Sequence, residues 1–383
     1  MIELPSTQTL AKRIASKTAQ QVENALASVR PSIEDLAALL SPAAEEYIEQ
    51  MAEKSAEITA RRFGRTIQLY APVYLSNLCS NRCAYCGFSA DNSIPRRTLT
   101  LDEAEEEAMI LHGRGFNHIL LVSGEAPGVL GFEYLKALTL RLKNRFAAIS
   151  IEVQPLTTEE YAGLFAAGIT AVAIYQETYD RKTYDQVHLS GPKKDYDFRL
   201  ETPARVAQAG MRELGIGFLL GLSDWRAESL AMGLHLQFLR KKFWRTALTV
   251  SFPRLRPAEG NFIAPAPVSE KELTQMIFAL RIFDHDVGLV VSTREHARFR
   301  DGMIGLGPTR YSAGSCTAPG GYGNPQENTG EQFAIGDQRS LDEVSQAIRN
   351  KGHDPVLKDW DAVFQKSGAR NQKTETGTKQ QAA

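Results

Sequence analysis

The stretch TIQLYAPVYLSNLCSNRCAYCGFS, residues 66–89, joins an apolar run to a cluster of cysteines. Its first part, TIQLYAPVYLS, is rich in β-branched and aromatic residues and predicts a buried strand. The remainder places three of the four cysteines, Cys79, Cys83 and Cys86, within eight positions. The stretch therefore predicts a strand followed by a loop that carries three closely spaced thiols.

This strand is the first of a series that alternates with helices. Further apolar runs are HILLVSGE, AISIEV, ITAVAIY, LGIGFLLGL, LTVSF and GLVVS, with a short eighth candidate near residues 309–312. Between the first two strands, Thr100 and Glu103 have the spacing of a capping box, which predicts the start of a helix. Repeated β/α units predict a parallel sheet, and eight strands favour a closed (β/α)8 TIM-type barrel over an open doubly wound sheet.

Composition and helix signals divide the rest of the chain. Residues 1–65 predict an N-terminal helical extension that ends at Gly64, a C-cap signal. The barrel is expected over residues 66–330, and a C-terminal helical segment over 331–367. Residues 368–383 are polar and lack aromatic side chains, so we expect a disordered tail.

The balance of charge limits the classes of partner. The chain has 44 Lys and Arg residues against 45 Asp and Glu residues, which favours neither a nucleic-acid groove nor an anionic membrane surface. The sequence shows neither a signal peptide nor a long apolar run. These features predict a cytoplasmic protein, and four cysteines in 383 residues do not predict a disulfide framework.

Three neighbouring thiols fit some kinds of site better than others. A structural zinc site needs four ligands, usually in two pairs, and the sequence has no second cysteine pair. A disulfide would leave an odd thiol and would need an oxidising compartment. A 4Fe–4S cluster held by three thiolates leaves one iron open to a ligand. The spacing favours the cluster, with zinc as the alternative, and the βα loops of a parallel barrel are where active sites lie.

The cysteine loop and its flanking motifs resemble a known family. Cys79, Cys83, Tyr85 and Cys86 form CxxxCxxC with an aromatic residue before the third cysteine, as in the radical S-adenosylmethionine (SAM) enzymes. LLVSGE, IEVQPL, YQETYD, HLSGPKKDYDFRLETP, VSFPRLRP, STRE and SAGSCTAPGGYG then follow in the same order as in the 2-iminoacetate synthases, the tyrosine lyases of thiamine thiazole formation. The resemblance extends from the N-terminal helices to about residue 360.

The resemblance implies a reaction and its cofactors. Three cysteines would hold a 4Fe–4S cluster, and reductive cleavage of SAM at that cluster would give methionine and a 5′-deoxyadenosyl radical. In such enzymes the radical attacks L-tyrosine, and the Cα–Cβ bond breaks to give 2-iminoacetate (dehydroglycine) and p-cresol. The sequence leaves open a related radical SAM lyase that acts on another aromatic amino acid, such as tryptophan, and a non-enzymatic metal-binding assembly partner.

The resemblance also implies a set of cofactor residues at the ends of strands. Ser123, Gly124 and Glu125 would receive the SAM amino group, although SGE alone predicts a turn equally well. Glu152 and Glu177 would accept hydrogen bonds from ribose hydroxyls, and Arg199 would bind the SAM carboxylate unless it pairs with Glu201. The aromatic residues expected beside the cofactor are Tyr85 and Phe88.

A second set is expected to bind the substrate. Arg294, after the strand GLVVS, is the candidate for the tyrosine carboxylate, and Ser312 or Ser315 for its amino group. Tyr74, near the end of the first strand, faces the same rim. Alternatives of lower rank are Arg254 and Arg256, which could equally clamp a loop, and His188, which could be a polar contact or a packing residue.

The resemblance extends to partners. Because free imines hydrolyse in water, we expect delivery of the product to the thiazole synthase ThiG. A flavodoxin or ferredoxin is expected to reduce the cluster. The fourth cysteine, Cys316, lies in a Gly- and Ser-rich loop without a second ligand nearby, and we expect it to take no part in metal binding.

Overall fold

The computed structural model describes residues 2–325 and 330–358. Eight parallel strands in this part of the chain form the barrel, and each is followed by a helical or loop crossover. These strands are β1 (Thr66–Ser76), β3 (His118–Ser123), β4 (Ala148–Glu152), β5 (Ala171–Ala173), β7 (Glu213–Gly217), β8 (Ala247–Ser251), β9 (Gly288–Val291) and β10 (Arg310–Ser312). A small second sheet pairs β2 (Arg82–Cys83) with β6 (His188–Ser190), and β11 is Asp354–Val356.

Helices cover the outside of the barrel and form the N-terminal extension. They are α1 (Thr7–Ala15), α2 (Ala19–Ala27), α3 (Ile33–Leu39), α4 (Ile48–Phe63), α5 (Leu101–Gly113), α6 (Phe132–Leu142), α7 (Thr158–Ala167), α8 (Arg181–Val187), α9 (Tyr196–Gln208), α10 (Trp225–Lys242), α11 (Glu270–Phe283), α12 (Ala297–Gly302) and α13 (Leu341–Asn350). The capping box predicted at Thr100 is present at the start of α5. No helix within residues 2–325 and 330–358 is long and apolar enough to cross a membrane.

The sheet closes on itself, which distinguishes a barrel from an open sheet. β1 pairs with β3 on one side, where Tyr74 is opposite Val122. It also pairs with β10, the last barrel strand, where Gln68 is opposite Arg310. The predicted (β/α)8 barrel is therefore confirmed, and the doubly wound alternative is wrong because its first and last strands would not meet.

The N-terminal extension packs against the barrel helices. Pro42 starts a 3-10 turn, Pro42–Tyr47, and α4 begins directly after it at Ile48. Helix α4 packs on α11, and α1 packs on α10. Gly64 ends α4 at a positive φ of 63°, as its C-cap signal predicts.

The region after the barrel contains a strand as well as a helix. Within the predicted helical segment 331–367, residues 331–339 cross the mouth of the barrel, and α13 follows. β11 then pairs in parallel with the first residues of β1. Residues 359–367 and the predicted tail 368–383 lie outside the described residues.

Candidate active site

The three clustered cysteines lie in the loop that follows β1. All four cysteines of the chain are free thiols. Cys83 is buried, whereas Cys79 and Cys86 are half-buried. The three side chains line one cavity at the C-terminal ends of the strands, which we call the thiol cavity. The sequence predicted this clustering, and the barrel brings the loop to the edge where parallel barrels carry their active sites.

An arginine that the sequence did not single out holds the cysteine loop in shape. Arg96 donates four hydrogen bonds, each to a backbone carbonyl of that loop. The acceptors are Asn77 at 2.7 Å, Phe88 at 2.9 Å, Ser89 at 2.6 Å and Asn92 at 2.9 Å. One guanidinium therefore fixes the backbone on both sides of the cysteines. Without such contacts a loop of this length would have many accessible backbone conformations.

The end of β3 forms another wall of the thiol cavity. A side chain at Gly124 would place its Cβ 2.3 Å from the Leu78 carbonyl oxygen and 3.2 Å from Cys79 Cβ, so only glycine fits. The hydroxyl oxygen of Ser123 is buried and has no partner within the described residues. The cavity thus combines three soft thiol ligands with the backbone of Gly124 and the hydroxyl of Ser123. Thiol ligands suit an iron–sulfur cluster, and the polar groups suit a polar ligand beside it.

The arrangement of the thiols differs from a site for a single metal ion. Within residues 2–325 and 330–358, no three His, Cys, Asp or Glu side chains are arranged to hold one metal ion. Thiolates of a multi-iron cluster bind different iron atoms and do not converge on one point. Three thiols that line one cavity without converging on one point fit ligands that each bind a different iron atom.

Four charged side chains meet at the inner wall of the thiol cavity. Arg199 Nη1 lies 2.8 Å from Glu125 and its Nη2 lies 3.5 Å from Glu177. Lys193 Nζ lies 2.7 Å from Glu177 and 4.0 Å from Glu125. Two cations and two carboxylates thus form one network. The alternative pairing of Arg199 with Glu201 is wrong.

The electrostatics of Glu177 follow from this network. Burial disfavours its ionised form, but the charges of Lys193 and Arg199 more than offset this and lower the pKa of its carboxyl. Its backbone has a φ of 69°, a left-handed conformation that side chains other than glycine rarely adopt. Strain of this kind is concentrated at functional sites. Sequence reasoning missed Lys193, although it lies within the HLSGPKKDYDFRLETP motif.

A second cavity adjoins the first, and we call it the arginine cavity because Arg294 lies in its wall. It brings together all four predicted substrate residues, Tyr74, Arg294, Ser312 and Ser315. The two cavities share several wall residues, which are Cys86, Val122, Glu152, Tyr175, Glu177, Lys193 and Gln332. A ligand in one cavity would therefore lie beside a ligand in the other.

Arg294 is a half-buried cation that has no carboxylate partner among the described residues. Within the described residues no acidic side chain lies at ion-pair distance, and its Nη1 donates only to the Arg254 carbonyl at 3.3 Å. Burial lowers the pKa of its guanidinium. By contrast, Arg254 and Arg256 both pair with Glu295, an arrangement that fits two arginines clamping a loop.

The two candidate serines differ in their availability. Ser312 Oγ accepts a hydrogen bond of 2.9 Å from the Thr293 backbone N–H. Ser315 Oγ is buried and has no partner in the described part of the chain. Ser315 is therefore the more available of the two for a ligand. Glu152, on the shared wall, has a pKa raised by burial to about 7, against the opposing charge of Arg294.

The aromatic residues near the third cysteine, Tyr85 and Phe88, are held in place by buried neighbours. His188 is buried, and its Nδ1 lies 2.8 Å from the Tyr184 carbonyl, which can only accept. Nε2 is then free to accept from the Tyr85 hydroxyl at 2.9 Å. Burial lowers the pKa of His188 to about 3, which agrees with a neutral ring. His188 therefore positions Tyr85, while Phe88 packs edge-on against Tyr74 at 5.9 Å.

The fourth cysteine lies apart from the other three. Cys316 lines an outer groove together with Tyr322 and Phe333, and is absent from the wall of the thiol cavity. Its thiol lies 3.7 Å from the Ala318 carbonyl. This location agrees with the expectation that Cys316 is not a ligand.

Comparison with known proteins identifies the family. The Radical SAM superfamily matches residues 73–232, and the Biotin and Thiamin Synthesis associated domain matches residues 251–354. The chain is 42% identical to the 2-iminoacetate synthase of Escherichia coli K12 over 359 residues, which covers 94% of this chain and 95% of the relative. Identity to the 2-iminoacetate synthase of Salmonella typhimurium LT2 is 43% over 351 residues, or 91% and 93% of the two chains.

Solved structures agree with this assignment. The FeFe-hydrogenase maturase HydG from Carboxydothermus hydrogenoformans has a TM-score of 0.82 at 32% identity, covering 94% of this chain and 81% of that one. Methylornithine synthase PylB, at 20% identity and a TM-score of 0.69, shares the fold. Sequence and structure together show that this chain belongs to the 2-iminoacetate synthase family of the radical SAM superfamily.

Proposed function

We propose that this protein is a radical SAM lyase that cleaves the Cα–Cβ bond of L-tyrosine to 2-iminoacetate and p-cresol. The observation that carries the proposal is the shared wall of the two cavities, which sets three free thiols beside a half-buried arginine that has no carboxylate partner in the described part of the chain. When bound, a 4Fe–4S cluster and SAM would supply the 5′-deoxyadenosyl radical, with methionine as the second fragment. The family membership supports the same reaction.

The residues of the thiol cavity have roles in holding these groups. Cys79, Cys83 and Cys86 would hold the cluster. The Ser123 hydroxyl, which has no partner among the described residues, suits an ammonium group, as do the bare backbone at Gly124 and the Glu125 carboxylate. Arg199 suits a carboxylate. The residues assigned to the ribose and adenine portion of SAM are Glu152, Glu177, Tyr85 and Phe88.

The residues of the arginine cavity would hold the amino acid. Arg294 can bind the tyrosine carboxylate through two parallel hydrogen bonds. Ser315, or Ser312 after losing its bond from Thr293, would accept from the amino group, and Tyr74 would border the aromatic ring. Fixing both polar ends would hold the amino group in one orientation beside the thiol cavity. Such proximity of the reacting atoms accounts for much of the rate in sites of this kind.

The products require one hydrogen atom to leave the substrate nitrogen, which the 5′-deoxyadenosyl radical would accept to become 5′-deoxyadenosine, and the Cα–Cβ bond to break. The released ring fragment then gains one electron and one proton to become p-cresol. We assign the electron to a flavodoxin or ferredoxin. Ligands that fill the two adjoining cavities would limit the access of water, which would otherwise hydrolyse the imine product.

Anaerobic reconstitution with iron and sulfide tests the proposal. The loaded enzyme, given SAM, a strong reductant and L-tyrosine, is expected to form 5′-deoxyadenosine and p-cresol in step. L-tryptophan is the control substrate and is expected to give no cleavage product. Loading of iron without any cleavage of SAM would contradict an enzymatic role, and product from tryptophan alone would contradict the substrate.

The proposal includes partners and a compartment. The Biotin and Thiamin Synthesis associated domain supports a place in thiamine thiazole formation, and so delivery of 2-iminoacetate to the thiazole synthase ThiG. Three free thiols suit a reducing compartment, so we propose a cytoplasmic location. Anaerobic co-purification with the cognate thiazole synthase is the corresponding test, and the absence of any complex would contradict direct delivery.

A further inference from the structure

A segment from beyond the last barrel strand crosses the mouth of the barrel. We call residues 331–337 the strap. Backbone hydrogen bonds tie it to four different loops at the C-terminal ends of the strands. These bonds run from Gly87 N to Gln332 O at 3.3 Å, from Gln332 N to Thr317 O at 3.2 Å, from Ala334 N to Pro257 O at 2.9 Å and from Gly336 N to Thr293 O at 2.8 Å.

Two glycines allow the strap to lie directly on these loops. A Cβ at Gly87 would lie 2.5 Å from the Gln332 carbonyl oxygen, and a Cβ at Gly336 would lie 2.5 Å from the Arg294 carbonyl oxygen. Real Cβ atoms do not approach that closely, so backbone meets backbone at both points. The strap is therefore fixed at both ends, with Phe333 held between them.

Phe333 lies against the guanidinium of Arg294. The central carbon of that guanidinium is 3.3 Å from the centre of the Phe333 ring. An aromatic ring at this distance interacts with the face of a guanidinium, so N–H groups at its edge other than the one bonded to the Arg254 carbonyl stay available to a ligand. An arginine packed in this way loses much of the rotational freedom that a long side chain otherwise has.

We propose that Phe333 is a positioning residue that holds Arg294 in the orientation needed to bind the carboxylate of the amino acid substrate. The inference rests on the proposed function, because it takes Arg294 as the carboxylate group's partner. It adds a residue that the sequence motifs did not single out. Phe333 acts through Arg294 and not by contact with the reacting atoms.

Steady-state kinetics with Phe333→Leu test the proposal in the full-length, cluster-loaded enzyme. Leucine keeps an apolar side chain but has no aromatic face. We expect the KM for tyrosine to rise about 10-fold, with kcat for p-cresol within about two-fold of the parent. Phe333→Tyr keeps the aromatic face, and its hydroxyl has room because the half-buried ring also borders the outer groove. We expect this variant to restore KM to within about two-fold.

Inhibition by tyramine separates action through Arg294 from direct contact with the substrate ring. Tyramine lacks the carboxylate, so its inhibition constant is expected to stay within about two-fold in Phe333→Leu. An equal weakening for tyramine and tyrosine would overturn the proposal, as would an unchanged KM. If Phe333→Leu fails to load iron, Phe333→Met carries the same expectation. Failure of the proposed function would instead appear in the parent enzyme, as absence of p-cresol.

Discussion

The side-chain amide of Asn81 donates a hydrogen bond of 2.8 Å to Glu125, which lies 44 residues further along the chain. Its carbonyl oxygen accepts a bond of 2.9 Å from the backbone N–H of Lys193. One buried side chain therefore joins the cysteine loop, the end of β3 and the segment before α9. These are three of the elements that surround the thiol cavity.

Asn81→Asp is expected to weaken SAM binding. The substitution keeps the size of the side chain but places a carboxylate oxygen against Glu125, and like charges at this distance repel. We expect the Kd for SAM to rise about 10-fold or more in the cluster-loaded protein, measured by equilibrium binding. Asn117→Asp, at the opposite end of β3, is the control and is expected to bind SAM as the parent does. Equal weakening in both variants would contradict a role for Asn81 at the cavity.

Arg96→Lys is expected to loosen the cysteine loop. Lysine cannot reproduce the four bonds that the Arg96 guanidinium makes to backbone carbonyls. The free energy of unfolding should fall by about 2–3 kcal/mol, and the reconstituted protein should retain markedly less iron. Arg82→Lys is a matched control, since Arg82 lies in the same loop but is half-exposed and makes a single ion pair with Asp91. Similar iron content in both variants would show that Arg96 does not organise the loop.

Stability is expected to fall as the solution becomes more acidic than pH 6.5. His118 is buried inside the barrel, and burial followed by the charge of Arg310 lowers its pKa to about 3. Burial lowers the pKa of His235 to about 4. The unfolded chain binds these protons near pH 6.5 and the folded chain does not, so protonation favours unfolding.

Denaturant unfolding at several pH values between 7 and 5 measures this effect. His118→Gln should reduce the dependence of the unfolding free energy on pH by up to about 1.4 kcal/mol per pH unit, because one proton fewer is taken up on unfolding. An unchanged slope would mean that His118 is already protonated in the folded protein.

Arg294→Lys is expected to impair tyrosine binding more than SAM cleavage. Lysine keeps the charge but cannot form two parallel bonds to a carboxylate. The KM for tyrosine should rise about 100-fold, and 5′-deoxyadenosine should form in excess over p-cresol. Arg298→Lys, on an exposed position of α12, is the control. An unchanged KM in Arg294→Lys would exclude the arginine from the carboxylate site.

Gln332→Leu is expected to weaken catalysis, because Gln332 is a strap residue that borders both cavities. Gln332 Oε1 accepts a hydrogen bond of 2.7 Å from the Tyr74 hydroxyl, and leucine leaves that buried hydroxyl without a partner. We expect kcat/KM for tyrosine to fall about 10-fold. Gln338→Leu, just beyond the strap and exposed, should have little effect on the same measurement. Equal losses in the two variants would point to a general disturbance of the segment.

The sequence predicted the barrel well because the pattern of each strand is local. β1 has the predicted bounds, Thr66–Ser76, and the Thr100 capping box is where its spacing placed it. β5 was less accurate, since the apolar run ITAVAIY forms a strand only over Ala171–Ala173. The periodicity of this apolar run does not predict the turn at Glu177, where the backbone is left-handed.

The candidate site was predictable where residues follow strands and less so elsewhere. Arg294 lies in the loop that begins after β9, so its position at the barrel mouth could be inferred from strand order. Phe333 and Gln332 arrive from beyond the last barrel strand, and no local pattern indicates which loops they cross. Lys193 reaches the thiol cavity only because Asn81 and Gly191 fix the backbone before α9. Contacts of this kind depend on tertiary structure and not on neighbouring residues.

The network of Glu125, Glu177, Lys193 and Arg199 contains equal numbers of positive and negative groups. A zwitterionic ligand that enters beside it can exchange partners with these groups, so the number of unpaired charges in the interior need not change. The free-energy cost of removing water from the protein's own charges is then part of folding and not of ligand binding. Association of such a ligand should depend only weakly on ionic strength, unlike the capture of an anion by an exposed basic surface.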